Sequence, residues 1–241
     1  SEASLLRARD QLATTFPGVT VHTLSCDLGR PGAAGEVMEW LRQRNILISI
    51  LVNNAGFGVY GYFSDSPWER EQSMLYLHVL TLTELTKKLL PAMVQQHYGR
   101  VLNIASAAAF QPGPLMAVYY ASKAYVLNFS QAIGNELQGT GVTVTVMCPG
   151  VTPTGFQQAV GNGTSRVKAR SILTTDVEYV ADLGYNGMLK GRSLVIPGNV
   201  NRFLVFLNRL VPRSFTIRMV RRAQEKIRKG ADLDRSFQAG P

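Results

Sequence analysis

Short runs of apolar, β-branched residues alternate along this chain with longer segments of helical periodicity. The predicted strands are residues 19–24 (VTVHTL), 46–52 (ILISILV), 100–105 (RVLNIA), 142–147 (VTVTVM) and 193–196 (SLVI). The predicted helices are residues 35–44, 68–96, 118–138 and 176–190. Strands separated by helices of this length form βαβ units, in which the strands run parallel and helices cover both faces of the sheet. The alternation therefore predicts an α/β fold with a doubly wound parallel sheet.

The composition excludes several other classes of protein. Of the 241 residues, 46% are hydrophobic and 17% are charged, which excludes a disordered chain, a coiled coil and a collagen-like repeat. No apolar stretch reaches the ~18 residues that a membrane-spanning helix needs. Cys26 and Cys148 are too few for a disulfide scaffold and lack the spacing of metal ligands. Because the chain opens without an apolar signal segment, we expect a reducing, cytoplasmic setting and no metal.

Positive charge is concentrated towards the C-terminus. The chain has a formal net charge of +9, yet residues 1–198 carry 15 basic and 13 acidic side chains. Residues 199–229 carry nine basic side chains and one acidic side chain. A nearly neutral body is not typical of a nucleic-acid-binding domain, and the tail has no nucleic-acid reader motif. We therefore expect no nucleic-acid partner, and we divide the chain into an α/β domain (residues 1–198) and a basic, amphipathic helical extension (residues 199–241).

Two interpretations of the basic segment stay open. Pro212 separates two stretches in which phenylalanine, leucine, isoleucine and methionine alternate with arginine. Such helices pack on their own domain or on a partner subunit with the arginines in solvent, or they lie on an anionic membrane surface. Packing is the simpler interpretation, and peripheral membrane contact through residues 199–229 is the second hypothesis.

Polar or Gly/Pro-rich segments follow four of the predicted strands. They are Asp27, residues 53–56 (NNAG), Ser106 and residues 149–154 (PGVTPT). The carboxyl ends of parallel strands lie at one edge of a sheet, and ligands of open α/β folds bind beyond that edge. The sequence therefore predicts a binding site there.

Tyr119 and Lys123 are the candidate chemical groups of this site. They are four residues apart on one predicted helix, so both side chains face the same direction. A phenol titrates near ~10, and a close, partly desolvated ammonium lowers that pKa by favouring the phenolate. The pair therefore predicts a tyrosine that transfers protons at neutral pH. The alternative is an exposed helix face on which the pair has no chemical role.

Four motifs together resemble the short-chain dehydrogenase/reductase family. They are NNAG at residues 53–56, Ser106, Tyr-x-x-x-Lys at residues 119–123 and Pro-Gly-x-x-x-Thr at residues 149–154, in this order and spacing. The resemblance runs from about residue 19 to residue 196. It implies a Rossmann-like, NAD(P)-binding domain at residues 1–198 that transfers hydride between nicotinamide and a carbonyl or secondary alcohol carbon.

The resemblance also implies a role for individual residues. Tyr119 would be the general acid or base, Lys123 would lower its pKa and hold the nicotinamide ribose, and Ser106 would orient the substrate oxygen. The implied cofactor contacts are Asp27, Leu28, Asn54, Ala55, Gly56, Tyr119, Lys123, Pro149, Gly150, Thr152 and Thr154. NADP is the expected cofactor, with NAD as the alternative.

The sequences of residues 100–113, 117–124 and 195–198 are similar to those of a bacterial subgroup of reductases, which is related to ketone and 3-oxoacyl reductases. This similarity implies a small-molecule carbonyl or alcohol substrate of lipid-like character. We expect Phe110, Phe156 and residues 157–170 to shape an apolar pocket for it. The resemblance also implies a homodimer formed through the two long helices, residues 68–96 and 118–138.

His78 departs from the family pattern, which has an asparagine at this helix position that supports a proton-relay water. An imidazole donates and accepts protons near neutral pH, so His78 is a fourth candidate catalytic residue. The alternative is a packing histidine without a role of its own. We predict that His78→Asn preserves or raises turnover.

A second departure concerns the start of the fold. The first strand, the Gly-rich phosphate-binding turn, the first helix and the second strand of the family have no counterpart before residue 19. Residues 1–16 match only the helix that precedes the third strand. In the family's strand order the missing strands lie between residues 19–24 and residues 46–52, so the latter run would have an open apolar edge. We interpret the sequence as an N-terminally truncated member of the family.

The sequence is also consistent with two alternatives to an NAD(P)-dependent oxidoreductase. A catalytically impaired relative acting as an interaction or membrane-surface protein is consistent with the missing Gly-rich turn. The retained Ser106, Tyr119 and Lys123 favour the enzyme. An epimerase or dehydratase that uses the same Tyr-Lys pair is less favoured, because such relatives have longer C-terminal substrate domains.

Overall fold

The computed structural model describes residues 2–156 and 175–238, with side chains as far as residue 226. The described helices are α1 (Glu2–Thr15), α2 (Ala33–Gln43), α3 (Trp68–Leu75), α4 (Leu82–Gln95), α5 (Ala117–Glu136), α6 (Val177–Leu189), α7 (Asn199–Leu207) and α8 (Arg213–Gln238). A π-helical turn, Tyr76–Thr81, joins α3 to α4, and a 3₁₀ turn, Ala107–Phe110, precedes α5. The predicted 68–96 helix is therefore continuous but contains one widened turn.

Four parallel strands form the sheet of the described residues. They are β1 (Ile50–Asn53), β2 (Gly99–Ile104), β3 (Val142–Met147) and β4 (Leu194–Val195), in the spatial order β1-β2-β3-β4. Each strand pairs with the next one along the chain, and a helix lies in each connection between β1 and β4. The predicted parallel α/β architecture is thus confirmed for this part of the sheet.

Helices cover both faces of the central strands, because successive side chains of a strand point to opposite sides. On one face, Val101 of β2 and Val144 of β3 pack with Leu89 and Met93 of α4. On the other face, alternate residues of the same strands pack against α6 and β4. This second cluster consists of Leu102, Met147, Val180, Met188 and Val195. The double winding is therefore confirmed around β2 and β3.

The prediction of a strand at residues 19–24 is wrong. This segment is irregular, and Val19 is 60% exposed. A β-strand needs a neighbour that accepts and donates its ladder hydrogen bonds, and no strand pairs with residues 19–24 in the described part of the chain. The predicted open edge is present at β1, where Ile50 and Val52 are 40% and 50% exposed.

The extension after β4 is held to the domain by a few buried polar side chains. Asn208, between α7 and α8, donates to the Phe110 carbonyl at 3.1 Å and to the Gln111 side chain at 3.0 Å. Thr216 of α8 is buried and donates to the Asn208 side-chain oxygen. Across the described residues, no helix has both the length and the apolar character needed to cross a membrane.

Candidate active site

The segments that follow β2 and β3 lie side by side at the carboxyl edge of the sheet. The Ala105 amide donates to the Met147 carbonyl, and the Ala107 amide donates to the Pro149 carbonyl, both at 2.8 Å. Ser106 stands between these two bonds, and its Oγ accepts from the Ala108 amide at 3.1 Å, which starts the 3₁₀ turn. The backbone therefore fixes the Ser106 hydroxyl directly beyond the end of β2.

Tyr119 and Lys123 of α5 meet Ser106 at this edge. Both side chains are buried, with Tyr119 8% and Lys123 5% exposed. The Ser106 hydroxyl lies near the Tyr119 phenol and favours its ionised form. The Lys123 Nζ donates to the Ile104 carbonyl, the last of β2, at 2.9 Å. The structure thus brings together three of the four candidate catalytic side chains, and the alternative of an exposed helix face does not apply.

The expected lowering of the Tyr119 pKa is not found, and that prediction is wrong for this structure. Burial raises the pKa of Tyr119 to about 12, and the Ser106 hydroxyl offsets only part of the effect. Lys123 Nζ lies 5.9 Å from the centre of the Tyr119 ring and donates to a backbone carbonyl. Its charge is therefore not directed at the phenol oxygen, and Tyr119 is protonated at neutral pH.

Lys123 is perturbed in the opposite direction. Removing an ammonium from water disfavours its charged form, and burial lowers the pKa of Lys123 to about 8. Within residues 2–156 and 175–226 the side chain makes one hydrogen bond, although an ammonium has three N–H groups to donate. Lys123 therefore has capacity to bind a further acceptor at the carboxyl edge of the sheet.

His78, the fourth candidate, lies in the π-helical turn and is 1% exposed. Its Nδ1 is 2.9 Å from the Ser122 Oγ, and that hydroxyl donates to the Tyr119 carbonyl at 2.8 Å. Since Ser122 has only one hydrogen to give, Nδ1 is the donor, and Nε2 has a free lone pair. Burial, together with the charge of Lys123, lowers the pKa of His78 to about 2, so the ring is neutral.

The free nitrogen of His78 faces Gly56, the last residue of the NNAG motif. Nε2 is buried and has no hydrogen-bond partner among the residues that the structure describes. A Cβ at Gly56 would lie 2.8 Å from Nε2 and 3.5 Å from Lys123 Nζ, so only glycine leaves this space open. An unpartnered buried acceptor beside a buried ammonium fits a hydroxyl-rich group such as the nicotinamide ribose. These residues therefore fit the nicotinamide half of NAD(P).

The other predicted cofactor residues lie around the same edge. Asn54, Ala55 and Gly56 are exposed beyond β1. Thr152 donates to the Gly150 carbonyl, and the Thr154 hydroxyl accepts from the Phe156 amide. A Cβ at Gly150 would lie 2.4 Å from the Asn201 side chain. The 149–154 segment is therefore held tightly against the start of the extension.

Asp27 and Leu28 are placed by the helix that contains His78. The exposed Asp27 accepts from the Gly29 amide at 2.9 Å, and the Leu28 carbonyl accepts from Thr81 at the end of the π-helical turn. A Cβ at Gly29 would lie 2.2 Å from the Ser73 hydroxyl, so the chain approaches α3 closely here. The irregular segment is thereby tied to the site although it is not a strand.

A buried polar chain behind the site was not predicted. Asn53 donates to the Asn103 side chain at 2.8 Å, and Asn103 donates to Ser130 of α5 at 2.9 Å. Asn53 also donates to Thr86 of α4 at 3.3 Å. This set fixes β1, β2 and both helices relative to one another. The sequence signal was an asparagine, fully buried here, inside the otherwise apolar 100–105 run.

Aromatic and sulfur side chains surround Tyr119. The cluster contains Phe57, Val59, Tyr60, Met74, Met116 and Tyr120, and Phe156 lies 5.5 Å from Tyr119 between ring centres. Phe110, the other predicted pocket residue, instead packs on the cluster formed by Val126, Leu127 and Val146. Residues 157–170 lie outside the described part of the chain. The described surroundings of the phenol are therefore apolar and aromatic.

Comparison with known proteins shows the family to which this chain belongs. The model of the family described as short chain dehydrogenase matches residues 1–165. The chain therefore belongs to the short-chain dehydrogenase family, as the four motifs predict.

Its relatives include reductases of 3-oxoacyl compounds. The ketoacyl reductase HetN of Nostoc sp. is 41% identical over 110 residues, which is 45% of this chain and 38% of that protein. The very-long-chain 3-oxoacyl-CoA reductase of Laccaria bicolor is 31% identical over 129 residues, which is 53% of this chain and 38% of that protein. The match thus spans well under half the length of either relative.

Solved structures show the same fold. A short-chain dehydrogenase from Sphingobium yanoikuyae in complex with NADPH is 30% identical, with a TM-score of 0.71 over 81% of this chain and 74% of that chain. A structure described in terms of 7beta-hydroxysteroid dehydrogenase stereoselectivity has a TM-score of 0.81 at 24% identity, over 91% of this chain and 83% of that one. The Rossmann-like architecture is thereby confirmed.

Proposed function

We propose that this protein is an NAD(P)-dependent oxidoreductase that interconverts a carbonyl compound and a secondary alcohol. The observation that carries this proposal is the buried Tyr119 phenol, which lies beside Ser106 and Lys123. The bound nicotinamide cofactor supplies or accepts the hydride. Family membership and the NADPH complex of a structural relative support NADP, with NAD as the alternative.

In the reducing direction, the residues of this chain handle the oxygen and its proton. Tyr119 donates its proton to the carbonyl oxygen as the carbon receives the hydride, and the Ser106 hydroxyl orients that oxygen. A phenol whose pKa burial raises to about 12 is protonated at neutral pH, as this step requires. Lys123 donates to the ribose through the N–H groups that the Ile104 carbonyl does not use.

The proposed substrate is apolar and lipid-like. The aromatic cluster around Tyr119 supports an extended apolar group, because such a surface binds hydrocarbon better than charge. The names of the two 3-oxoacyl-type relatives support a 3-oxoacyl or ketone compound. Screening NADPH oxidation with ketones and with 3-oxoacyl thioesters of increasing chain length tests this choice. Activity that falls as the apolar chain grows would contradict it.

The reaction itself is tested by two neighbouring tyrosines. We expect Tyr119→Phe to lower kcat by about 10³-fold, since it removes the proton donor. Tyr120→Phe is the matched control, because the Tyr120 hydroxyl bonds to Gln224 of α8 and lies outside the Ser106 pair. Equal activity of Tyr119→Phe and the unmodified chain would refute the proposal.

Two contacts with partners belong to the proposal. A homodimer through the two long helical segments, residues 68–96 and 118–138, is supported by the exposure of Leu80 and Tyr125, at 52% and 38%. Peripheral membrane contact through residues 199–229 is supported by the basic charge of that segment. Analytical ultracentrifugation tests the first contact, and a strictly monomeric chain would exclude it.

A catalytically impaired relative is the second candidate function. The exposed edge at β1 favours it, because an open strand edge can pair with another chain. Calorimetric titration with NADPH of this chain, and of a chain to which the family's first strand, Gly-rich turn, first helix and second strand are restored, separates the two functions. Saturable binding that Gly56→Val abolishes supports the enzyme, whereas no binding by either chain supports the interaction protein.

A further inference from the structure

The helical extension presents large apolar side chains to solvent. Phe203, Phe206, Leu210, Phe215 and Met219 are 62%, 58%, 68%, 47% and 56% exposed. Phe203 and Phe206 are three residues apart in α7, and Phe215 and Met219 are four apart in α8, so the members of each pair share a side of their helix. Leu210 lies in the turn after α7. We call these five residues the extension surface. Exposed apolar side chains gathered in one segment, rather than scattered singly, indicate an interaction site.

The charge next to the extension surface has one sign. Residues 199–224 contain six arginines and no aspartate or glutamate. Arg202, Arg209, Arg213, Arg218 and Arg222 are exposed among the apolar residues. Such a surface repels a second copy of itself, because like charges would face each other. It attracts a partner that is both negatively charged and able to take up apolar groups.

The opposite side of the extension is fixed to the catalytic edge of the domain. Gln224 of α8 donates to the Tyr120 hydroxyl at 3.2 Å, and the Tyr60 hydroxyl donates to the Gln224 carbonyl. Asn208 is bonded to Phe110 and Gln111. Since these contacts hold the inner side, the outward apolar residues are not the result of an unattached tail.

A loop of the domain that contacts the extension has two more exposed apolar side chains. Tyr62 and Phe63 are 41% and 67% exposed. Tyr60, two residues before Tyr62, donates to the Gln224 carbonyl of α8, so this loop and the extension are in contact. Tyr60 also belongs to the aromatic cluster around Tyr119. The loop therefore links the extension to that cluster.

We propose that the extension surface, with Phe63 and the flanking arginines, docks on an anionic lipid bilayer and places the aromatic cluster around Tyr119 near it. This inference rests on the proposed function, since a lipid-like substrate would then reach Tyr119 from the bilayer. A bilayer satisfies both properties of the surface: its headgroups bind the arginines, and its acyl boundary takes up phenylalanine, leucine and methionine.

The test is co-sedimentation of the chain with vesicles of phosphatidylcholine alone or with a third of phosphatidylglycerol. At low salt we expect about tenfold more binding to the anionic vesicles, and a large loss at high salt because surface charge is screened. Combining Phe203→Ser, Phe206→Ser and Leu210→Ser should lower binding about tenfold. Arg209→Gln, Arg213→Gln and Arg218→Gln together should abolish the preference for anionic vesicles.

Matched controls come from exposed residues elsewhere. Phe16, Val19 and Leu47 are 55%, 60% and 74% exposed, and their combined change to serine should leave vesicle binding unchanged. Changing exposed Arg7, Arg44 and Arg192 to glutamine controls for the loss of three charges. Tyr119→Phe should bind vesicles normally, so a failed reductase assay and a failed docking test are distinguishable.

The proposal is overturned by any of three results. They are the absence of binding to anionic vesicles at low salt, full binding by the Phe203, Phe206 and Leu210 variant, or equal loss in the control variants. A different result is that the unmodified chain is a dimer that does not bind vesicles, and that the Phe203, Phe206 and Leu210 variant is a monomer. The extension surface is then an interface between copies of this chain, and the proposal is wrong. A monomeric chain that binds vesicles through these residues supports the proposal.

Discussion

Residues 19–24 and 142–147 are both β-branched runs that begin with VTV, VTVHTL and VTVTVM, yet only the second segment is a strand. β3 lies between β2 and β4 and is hydrogen bonded on both sides, and Val144 and Val146 are 3% and 0% exposed. Val19 is 60% exposed in an irregular segment. The same local pattern thus gives different structures, because strand pairing and burial come from neighbours elsewhere in the chain.

The comparison extends to the two regions around these segments. No residue of α1 is buried, and the edge strand β1 exposes Ile50 and Val52. Around β2, β3 and α5, in contrast, the candidate catalytic groups lie in a closely packed interior. Chemistry that needs desolvated groups at fixed distances therefore occupies the well-packed region. Equivalent substitutions in the two regions test this contrast.

The largest expected difference concerns two glycines. A Cβ at Gly113 would lie 2.2 Å from the Tyr120 ring, whereas a Cβ at Gly35 in α2 would meet nothing within 4 Å. We expect Gly113→Ala to lower the free energy of unfolding by about 3 kcal/mol, because the ring has to move. Gly35→Ala should raise it by about 0.5 kcal/mol through helix propensity. Urea unfolding measures both, and equal effects would break the contrast.

The two similar apolar runs allow a closer comparison. Val146→Ala should destabilise the protein by about 2 kcal/mol, because it leaves a cavity between β3 and the helices that cover it. Val19→Ala should change stability by less than ~0.5 kcal/mol, since that side chain is exposed. If Val19→Ala proves as costly as Val146→Ala in urea unfolding, residues 19–24 are packed in solution.

The features predicted from sequence are those that depend on residues close in the chain. Tyr119 and Lys123 share a helix face because of their spacing, and Ser106 reaches them because strand ends lie at one edge. The polar contacts of Asn103 and the widened turn at His78 depend on packing between distant segments. The raised pKa of Tyr119 does too, because burial is its main cause. Sequence spacing contains none of this information.

Acid should destabilise the well-packed region through His78. Its pKa is about 2 in the fold and near 6.5 in the unfolded chain, so unfolding takes up a proton between these values. The neutral His78 therefore does not lower the free energy of unfolding above about pH 6.5, and this free energy falls as the pH falls below that value. Between pH 7 and pH 4.5 we expect His78 to account for about 2 kcal/mol of lost stability. His78→Asn should remove this part, and identical pH dependence in both proteins would contradict the assignment.

The smallest expected change is in turnover, when His78 is replaced by the asparagine that the family usually has. His78 contributes a lone pair at Nε2 beside Lys123 and a donated bond from Nδ1 to Ser122. A side-chain amide also donates and accepts, so we expect His78→Asn to keep kcat or to raise it. His78→Leu can do neither and should lower kcat about tenfold. Equal rates for Asn and Leu would make His78 a packing residue only, whereas a large loss in the Asn variant would require an imidazole.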